Sequence, residues 1–319
     1  MSPLHVTRTF PEDATDAALR ADVRHGLTAT PKWLPPKWFY DARGSELFEQ
    51  ITELPEYYPT RAEREILAAR SGEIAAASGA RTLIELGSGS SEKTRYLIDA
   101  LPLAAYVPVD VSESALTQAA QALIADHPGL EVHALIADFT APLTLPATPG
   151  PRLVAFLGGT IGNLLPAERT EFLTSVRALL APGDGLLLGT DLVKDEQVLV
   201  RAYDDAAGVT AAFNKNVLAV VDRELGADFD LDAFDHVALW DAEREWIEMR
   251  LRSRTEQTVK VPALGLAVEF AAGEELRTEV SAKFRKDKVG TELAAVGFDL
   301  THWWTDDQDR FALSLSVAR

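Results

Sequence analysis

No cysteine occurs in the 319 residues, which excludes disulfides, thiolate catalysis and cysteine-ligated zinc. Basic residues are scarce too: 31 Lys and Arg stand against 49 Asp and Glu, a net charge of −18. Nucleic-acid binding rests on neutralising phosphates with cationic side chains, so this balance argues against DNA or RNA as a partner. It argues equally against anionic membrane surfaces. No run approaches the roughly 18 uninterrupted apolar residues of a membrane span. The opening Met1-Ser2-Pro3-Leu4-His5 lacks the basic-then-apolar order of a secretory signal. The expectation is a soluble cytoplasmic protein, monomeric and without a metal site. At roughly 150 residues per domain, the length suggests two domains.

One further absence is informative. Apolar Thr82–Leu86 predicts a buried parallel strand, followed by Gly87-Ser88-Gly89-Ser90-Ser91-Glu92-Lys93 and a helix from about Ser91. Gly87 and Gly89 permit a tight turn that lets the backbone approach a ligand closely. The dinucleotide fingerprint needs a third glycine three positions after the second; Glu92 stands there instead. A carboxylate beside a pyrophosphate repels it, and Glu85 adds a second negative group before the turn. Acidic flanks suit a cofactor carrying a sulfonium and an ammonium, so S-adenosylmethionine fits and NAD fits poorly. Asp110, at the tip of the next apolar run, can accept both hydroxyls of a ribose.

Strand and helix patterns alternate from Thr82 to about Lys194, the signature of a doubly wound sheet. Strands are predicted at 82–86, 106–109, 131–136, 153–157 and 185–189, with helices over 92–101, 112–126 and 167–180. Residues 197–230 look helical and run into the acidic stretch Asp228–Asp235. Period-two strands follow at 246–254, 258–261, 266–270 and 276–284, then a helix over 287–296. A closing hairpin pattern spans 300–304 and 311–317. The fold class expected is α/β: a mostly parallel, class I methyltransferase-like sheet with a terminal antiparallel hairpin, plus a second α+β domain. Residues 60–195 and 286–319 would bind the cofactor. Residues 1–59 and 196–285 would form one discontinuous substrate domain, facing the carboxyl ends of the parallel strands where α/β ligands bind.

Several side chains carry two readings each. Asp138-Phe139 after the third of these strands can hold and stack an adenine, or can be a helix cap with a core ring. Lys93 can meet a methionyl carboxylate or stay solvated. Asn163, after Gly158-Gly159-Thr160-Ile161-Gly162, can grip an amino-acid head group or simply occupy a left-handed turn. Trp33, Trp38, Phe39, Tyr40, Tyr57 and Tyr58 cluster around Pro35-Pro36 and Pro59. They can form core or a domain seam, or a cation–π wall for a methylated ammonium. Glu279 and Ser281 share one face of an extended strand. Met249, taken singly, reads as core.

These stretches together resemble the bacterial histidine Nα-methyltransferases of ergothioneine biosynthesis, over nearly the whole chain. The resemblance is carried by Pro35-Pro36-Lys37-Trp38-Phe39-Tyr40-Asp41, Leu54-Pro55-Glu56-Tyr57-Tyr58-Pro59-Thr60-Arg61 and Glu85-Leu86-Gly87-Ser88-Gly89 with Ser91-Glu92-Lys93-Thr94. It continues through Thr160-Ile161-Gly162-Asn163, Gly189-Thr190-Asp191-Leu192-Val193-Lys194, Ala202-Tyr203-Asp204-Asp205 and Thr278-Glu279-Val280-Ser281. It implies trimethylation of free L-histidine to hercynine with S-adenosylmethionine as donor. It implies cofactor binding by Gly87, Lys93, Asp110, Asp138 and Phe139. Asn163 and Tyr203 would hold the substrate carboxylate, Glu279 and Ser281 the imidazole nitrogens, and Tyr57 the ring. Met249 would line the side-chain pocket. Tyr40 would face the methylated amine, so that Tyr40 and Asn163 are the catalytic candidates. Ser90 stands where relatives often have Thr, and the link Pro102–Ala105 is short; neither touches these residues. The alternatives are an α-amino methyltransferase for another amino acid such as tryptophan, a nicotinamide-dependent oxidoreductase, and a protein that binds S-adenosylmethionine without turnover.

Overall fold

A computed structural model describes residues 4–9, 11, 14–89, 91 and 93–319. In chain order the chain begins β1 (Leu4–Arg8), α1 (Ala14–Thr28), α2 (Ala42–Glu53), α3 (Pro59–Ser78) and β2 (Thr82–Leu86). Then come α4 (Arg95–Ala100), β3 (Ala105–Asp110), α5 (Glu113–Asp126), β4 (Glu131–Ile136), β5 (Arg152–Phe156), α6 (Pro166–Ala178) and β6 (Gly185–Asp191). Next are α7 (Glu196–Tyr203), α8 (Val209–Leu225), β7 (Phe234–Asp241), β8 (Trp246–Ser253), β9 (Gln257–Val261) and β10 (Leu266–Phe270). The chain closes with β11 (Glu275–Ala282), α9 (Lys286–Ala295), β12 (Phe298–Thr305) and β13 (Phe311–Ala318). Two compact units result: Met1–Pro11, Pro59–Val193 and Phe284–Arg319 form one, Glu12–Tyr58 and Lys194–Lys283 the other.

The first unit is built on an eight-stranded sheet of order β1-β4-β3-β2-β5-β6-β13-β12. Its strands are parallel from β1 to β6, and β13 and β12 close it antiparallel. All five residues of β2 and all seven of β6 are buried, as strands covered on both faces must be. Leu83, Tyr106, Val132, Leu153, Leu187 and Leu315 from the strands join Ile66, Leu97 and Leu123 from the helices in one core. Strand order reverses between β2 and β5, so the loops after these two strands diverge and open the crevice where α/β sheets hold ligands.

Two expectations are corrected in this unit. The helix after the glycine turn begins at Arg95, not near Ser91, because Ser91 sits at φ 55° and cannot continue it. The substrate domain expected over 1–59 starts too early, since Leu4–Arg8 pairs with β4 at the edge of the sheet. Four of the five residues of β1 are exposed. Backbone pairing rather than apolar burial holds that strand, so no hydrophobic pattern announced it.

The second unit has its own core, in which Phe213, Val217 and Val221 of α8 meet Ile247, Met249 and Leu251 of β8. Its three-stranded antiparallel sheet runs β11-β8-β7, and β9-β10 is a separate hairpin. The helical stretch expected over 197–230 is divided. Asp205 accepts the backbone N–H groups of Val209 and Thr210 at 3.0 and 2.7 Å, and Gly208 takes φ 74°, so the chain turns and a new helix starts. The end of the acidic run, from Phe234, enters β7, a strand absent from the expected set.

A register shift in β11 between Arg277 and Glu279 decides which side chains this sheet presents. Leu276 lies opposite Leu251, but Glu279 lies opposite Met249 and Ser281 opposite Ile247. Directly opposed residues of an antiparallel pair share a face. The β-bulge at Thr278 therefore turns Glu279 and Ser281 onto the face of Leu251, Met249 and Ile247, where strict alternation would have placed 278 and 280. Thr278 is 1% exposed. Its hydroxyl lies 2.5 Å from Asn214 Oδ1 and 3.0 Å from the carbonyl of Met249. Thr278→Val, which keeps the shape and removes that donor, is expected to cost about 1–3 kcal/mol by leaving the Asn214 oxygen buried and unsatisfied. Urea unfolding tests this; a loss within about 0.5 kcal/mol, the range of ordinary surface changes, contradicts it.

Candidate functional site

At the crevice of the first unit, β2 ends in a turn fixed by its backbone. Gly87 and Gly89 have φ 70° and 49°, and the N–H of Gly87 donates to the carbonyl of Val109 at 2.8 Å. Asp110 Oδ2 accepts the N–H of Gly89 at 3.0 Å and Oδ1 that of Ser112 at 2.9 Å. Each oxygen keeps a lone pair, so Asp110 both staples the turn and can accept a diol. A Cβ on Gly87 would stand 3.3 Å from the ring of Phe139, which brings that ring over the turn. Phe139 is braced edge-on by Phe156 and Phe172, at centroid distances of 5.3 and 6.2 Å. Asp138 Oδ1 accepts the N–H and hydroxyl of Thr140 at 2.8 and 2.6 Å. Bare backbone, a flat ring and two carboxylates form a cradle able to take a nucleoside carrying positive charge.

One acidic residue near the turn, Glu85, does other work. Glu85 is buried, and Tyr106 and Thr94 both donate to its carboxylate. Burial pushes its pKa up to about 7, against the lowering effect of these two hydroxyls and of Lys93. The negative group expected there is instead a carboxyl that holds its proton into the neutral range, so it supplies little of the acidic flank. Glu92 lies outside the described residues.

Sequence reasoning missed Glu63. It is fully buried, pairs with Lys93 and accepts the N–H of Gly158 at 2.7 Å. A Cβ at Gly189 would lie 2.4 Å from its Oε1, so a glycine in β6 makes room for the carboxylate. Lys93 thus has Glu63 as its partner. Glu63 joins α3 to the glycine turn and to the loop after β5. The available signal was a lone acid in an otherwise apolar helical face. In that loop Gly158 and Gly159 take φ 78° and 70°, and Asn163 ends the 3₁₀ turn Thr160–Asn163. Asn163 is not among the residues with positive φ, so the left-handed alternative does not apply.

The second unit assembles most of the remaining candidates. Tyr40 meets Phe48 and Phe213 edge-on at 5.5 and 5.4 Å, Phe48 meets Tyr57 at 6.1 Å, and Tyr57 meets Tyr203 at 6.5 Å. Surrounding protein raises the pKa of the Tyr40 hydroxyl, and the negative charge of Glu279 raises it further. Tyr40 nevertheless keeps 49% of its surface accessible. Tyr203 and Ser281 oxygens stand 2.8 Å apart. Met249, opposite Glu279 in register, belongs to the core. Trp33, Trp38, Phe39 and Tyr58 serve structure: Trp38 donates to Asp22 at 3.0 Å, and Tyr58 is buried and accepts from Lys194 at 2.7 Å. The segment before Tyr40 is tied to β11 beside the bulge, because Leu34 donates to the carbonyl of Arg277 at 2.8 Å and Arg277 to that of Lys32 at 3.1 Å.

Phe48, Phe213 and Lys283 were also missed. Lys283 is 3% exposed and donates to the oxygens of Tyr203 and Ser281 at 2.8 and 2.9 Å. It continues the alternation Glu279, Ser281, Lys283, which was the signal available. Behind Tyr203, His236 is held neutral by burial, which lowers its pKa. Asn214 spends its oxygen on Thr278, so its amide donates to Nδ1 at 2.8 Å. Nε2–H is then left to donate to the carbonyl of Tyr203 at 2.8 Å. The bulge and Tyr203 are thereby joined through three side chains.

A family model described as histidine-specific methyltransferase, SAM-dependent, matches residues 19–318. The chain is 62% identical over 309 residues to the histidine N-alpha-methyltransferase of Mycolicibacterium smegmatis, covering 96% of each chain. It is 59% identical over 310 residues to that of Mycobacterium tuberculosis, covering 96% of this chain and 97% of the relative. Among solved structures, an S-adenosylmethionine-dependent methyltransferase from Clostridium acetobutylicum superposes with a TM-score of 0.50 at 10% identity, over 86% of this chain and 98% of that one. This likeness establishes the class I methyltransferase fold.

The Glu85 environment gives a pH test. The folded chain holds the Glu85 proton up to about pH 7, whereas an unfolded glutamate releases it near 4.3. The folded state therefore binds more protons in this window, and stability present below the lower value is lost as pH rises through about 7. The loss is on the order of 3 kcal/mol. Glu85→Gln is expected to remove this component, flattening the difference between denaturation midpoints at acidic and mildly alkaline pH. Equal pH dependence in the two proteins contradicts it.

Proposed function

Since this chain belongs to the family of histidine-specific, S-adenosylmethionine-dependent methyltransferases, we propose that it places three methyl groups on the α-amino nitrogen of free L-histidine. The product is hercynine, and the step is the entry to ergothioneine biosynthesis. The observation that carries the histidine assignment is the bulged strand, which sets Glu279 and Ser281 on one face beside Tyr203 and within the electrostatic reach of Tyr40.

Gly87, Lys93, Asp110, Asp138 and Phe139 hold S-adenosylmethionine in this reading; when bound, it supplies a methyl group on a positively charged sulfur. Asp110 would accept the ribose hydroxyls, and Phe139 would stack on the adenine. Asn163 and Tyr203 hold the substrate carboxylate, with the buried ammonium of Lys283 reinforcing the negative preference of that corner. Glu279 accepts one imidazole N–H and Ser281 engages the other ring nitrogen. An analogue without these ring nitrogens makes neither contact, which is how a site built for hydrogen bonds rejects other side chains. Tyr57 contacts the ring, and Met249 limits the depth of the pocket.

Transfer needs a neutral amine held about 3–3.5 Å from the methyl carbon, in line with the departing sulfur. Tyr40, kept as a neutral phenol by its raised pKa, offers the amine a lone pair and a π face without forming a fixed ion pair. A nitrogen that gains methyl groups becomes a permanent cation, and aromatic walls accommodate it while letting it rotate.

Mass spectrometry of reactions with S-adenosylmethionine and each proteinogenic amino acid in turn tests the assignment. Three methyl increments on histidine alone are expected; a preferred substrate such as tryptophan overturns it. Glu279→Ala is expected to raise KM for histidine about 10- to 100-fold, the scale of a lost charge-assisted hydrogen bond, while the dissociation constant for S-adenosylmethionine changes little. An unaltered KM for histidine refutes the imidazole role.

A further inference from the structure

We propose that His5, Glu131 and His133 form a binding site for a first-row divalent cation of the zinc type, at the edge of the large sheet. His5 on β1 and His133 on β4 are direct partners in the parallel register, and their rings stack with centroids 4.8 Å apart and planes 14° apart. Glu131 precedes His133 by two residues on the same strand, so its side chain emerges on the same face. Both imidazole Nε2 atoms converge on one oxygen of that carboxylate, at 3.6 Å from His5 and 3.0 Å from His133. One ligand atom from each residue can be chosen so that all lie within 4.8 Å of one another.

The donor set defines the ligand. Two imidazoles and a carboxylate suit zinc, nickel or copper, whereas calcium and magnesium take oxygen ligands almost exclusively. Ligands around a tetrahedral zinc lie about 2.0–2.2 Å from the metal, which places them about 3.4 Å from one another; the Glu131 oxygen already stands 3.6 and 3.0 Å from the two Nε2 atoms. The His5 side chain is 50% accessible and that of His133 only 15%, so His5 turns and His133 is the fixed member. Three protein ligands leave a fourth position for water. The site lies in the first half of β4, away from the strand end that leads to Asp138 and Phe139, so it is not part of the cofactor cradle.

The consequence is structural. Apart from Leu4, which packs on the core, β1 has little apolar surface to bury, and its attachment rests mainly on backbone pairing, the stacked rings and the ion pair of Arg8 with Glu113. A cation shared by β1 and β4 binds only while the two are paired, so its binding free energy adds to the stability of that pairing.

The test uses the tag-free full-length protein, treated with chelator and dialysed, then titrated with zinc by calorimetry and with cobalt by visible absorption. A single ion per chain is expected, with a tetrahedral cobalt spectrum. His133→Ala and His5→Ala are each expected to weaken binding at least about tenfold, and the control His302→Ala to leave it unchanged. Hydrogen exchange provides a readout in the unmutated protein: zinc is expected to slow the amides of β1 and β4 selectively. Absence of stoichiometric binding, affinity in the His5 or His133 variant unchanged from the unmutated protein, or zinc protection elsewhere overturns the proposal.

Discussion

The arrangement of side chains in the second unit depends on one irregularity in a strand. Without the extra residue at Thr278, the alternation that begins at Leu276 would carry Thr278, Val280 and Ala282 onto the face occupied by Met249 and Ile247. Glu279, Ser281 and Lys283 would then sit on the opposite face, away from Tyr203 and Tyr40. The bulge is not a loose defect. Its hydroxyl is bonded to Asn214 and to the carbonyl of Met249, and Asn214 in turn fixes His236, whose ring meets the carbonyl of Tyr203. Bulges that re-aim a side chain are a recurrent device beside functional sites. Here the same residue both creates the bulge and ties it to α8, the helix that carries Phe213 of the aromatic cluster.

The first unit uses a buried carboxylate for a comparable purpose. Glu63 draws the lysine of the glycine turn and the backbone of Gly158 to one point, with Gly189 kept bare beside it. Burying a charge is tolerable only with a partner and further hydrogen bonds, and Glu63 has both. Those contacts join the loops after β2 and β5 across the switch point of the sheet. Glu85, one strand end away, solves the same problem differently, by keeping its proton.

The parallel sheet was legible because its strands are continuous apolar runs ended by glycine turns, and five of its strands fall within two residues of their expected limits. The glycine turn and Asp110 were legible because a bare backbone bend and a carboxylate at the next strand tip leave a local pattern. Five features were not. β1 has no hydrophobic pattern to show. The bulge at Thr278 looks like any other strand residue, since a one-residue slip leaves no mark in composition. Glu63 and Lys283 act through partners distant in sequence, and single charged residues in apolar surroundings more often snorkel to solvent. The pKa of Glu85 is a property of what surrounds it, so its acidity was misread from its letter alone. Histidine itself was named through long, specific runs of residues; the physics of those residues alone reached only a cationic cofactor and an amino-acid-like partner.

The direct measurement is a crystal structure of the protein with S-adenosylhomocysteine and L-histidine together. The account requires the imidazole nitrogens within hydrogen-bond distance of Glu279 and Ser281, and the substrate carboxylate against Asn163 and Tyr203. Density for histidine that leaves Glu279 and Ser281 without a contact, or a ring held by other residues, contradicts it.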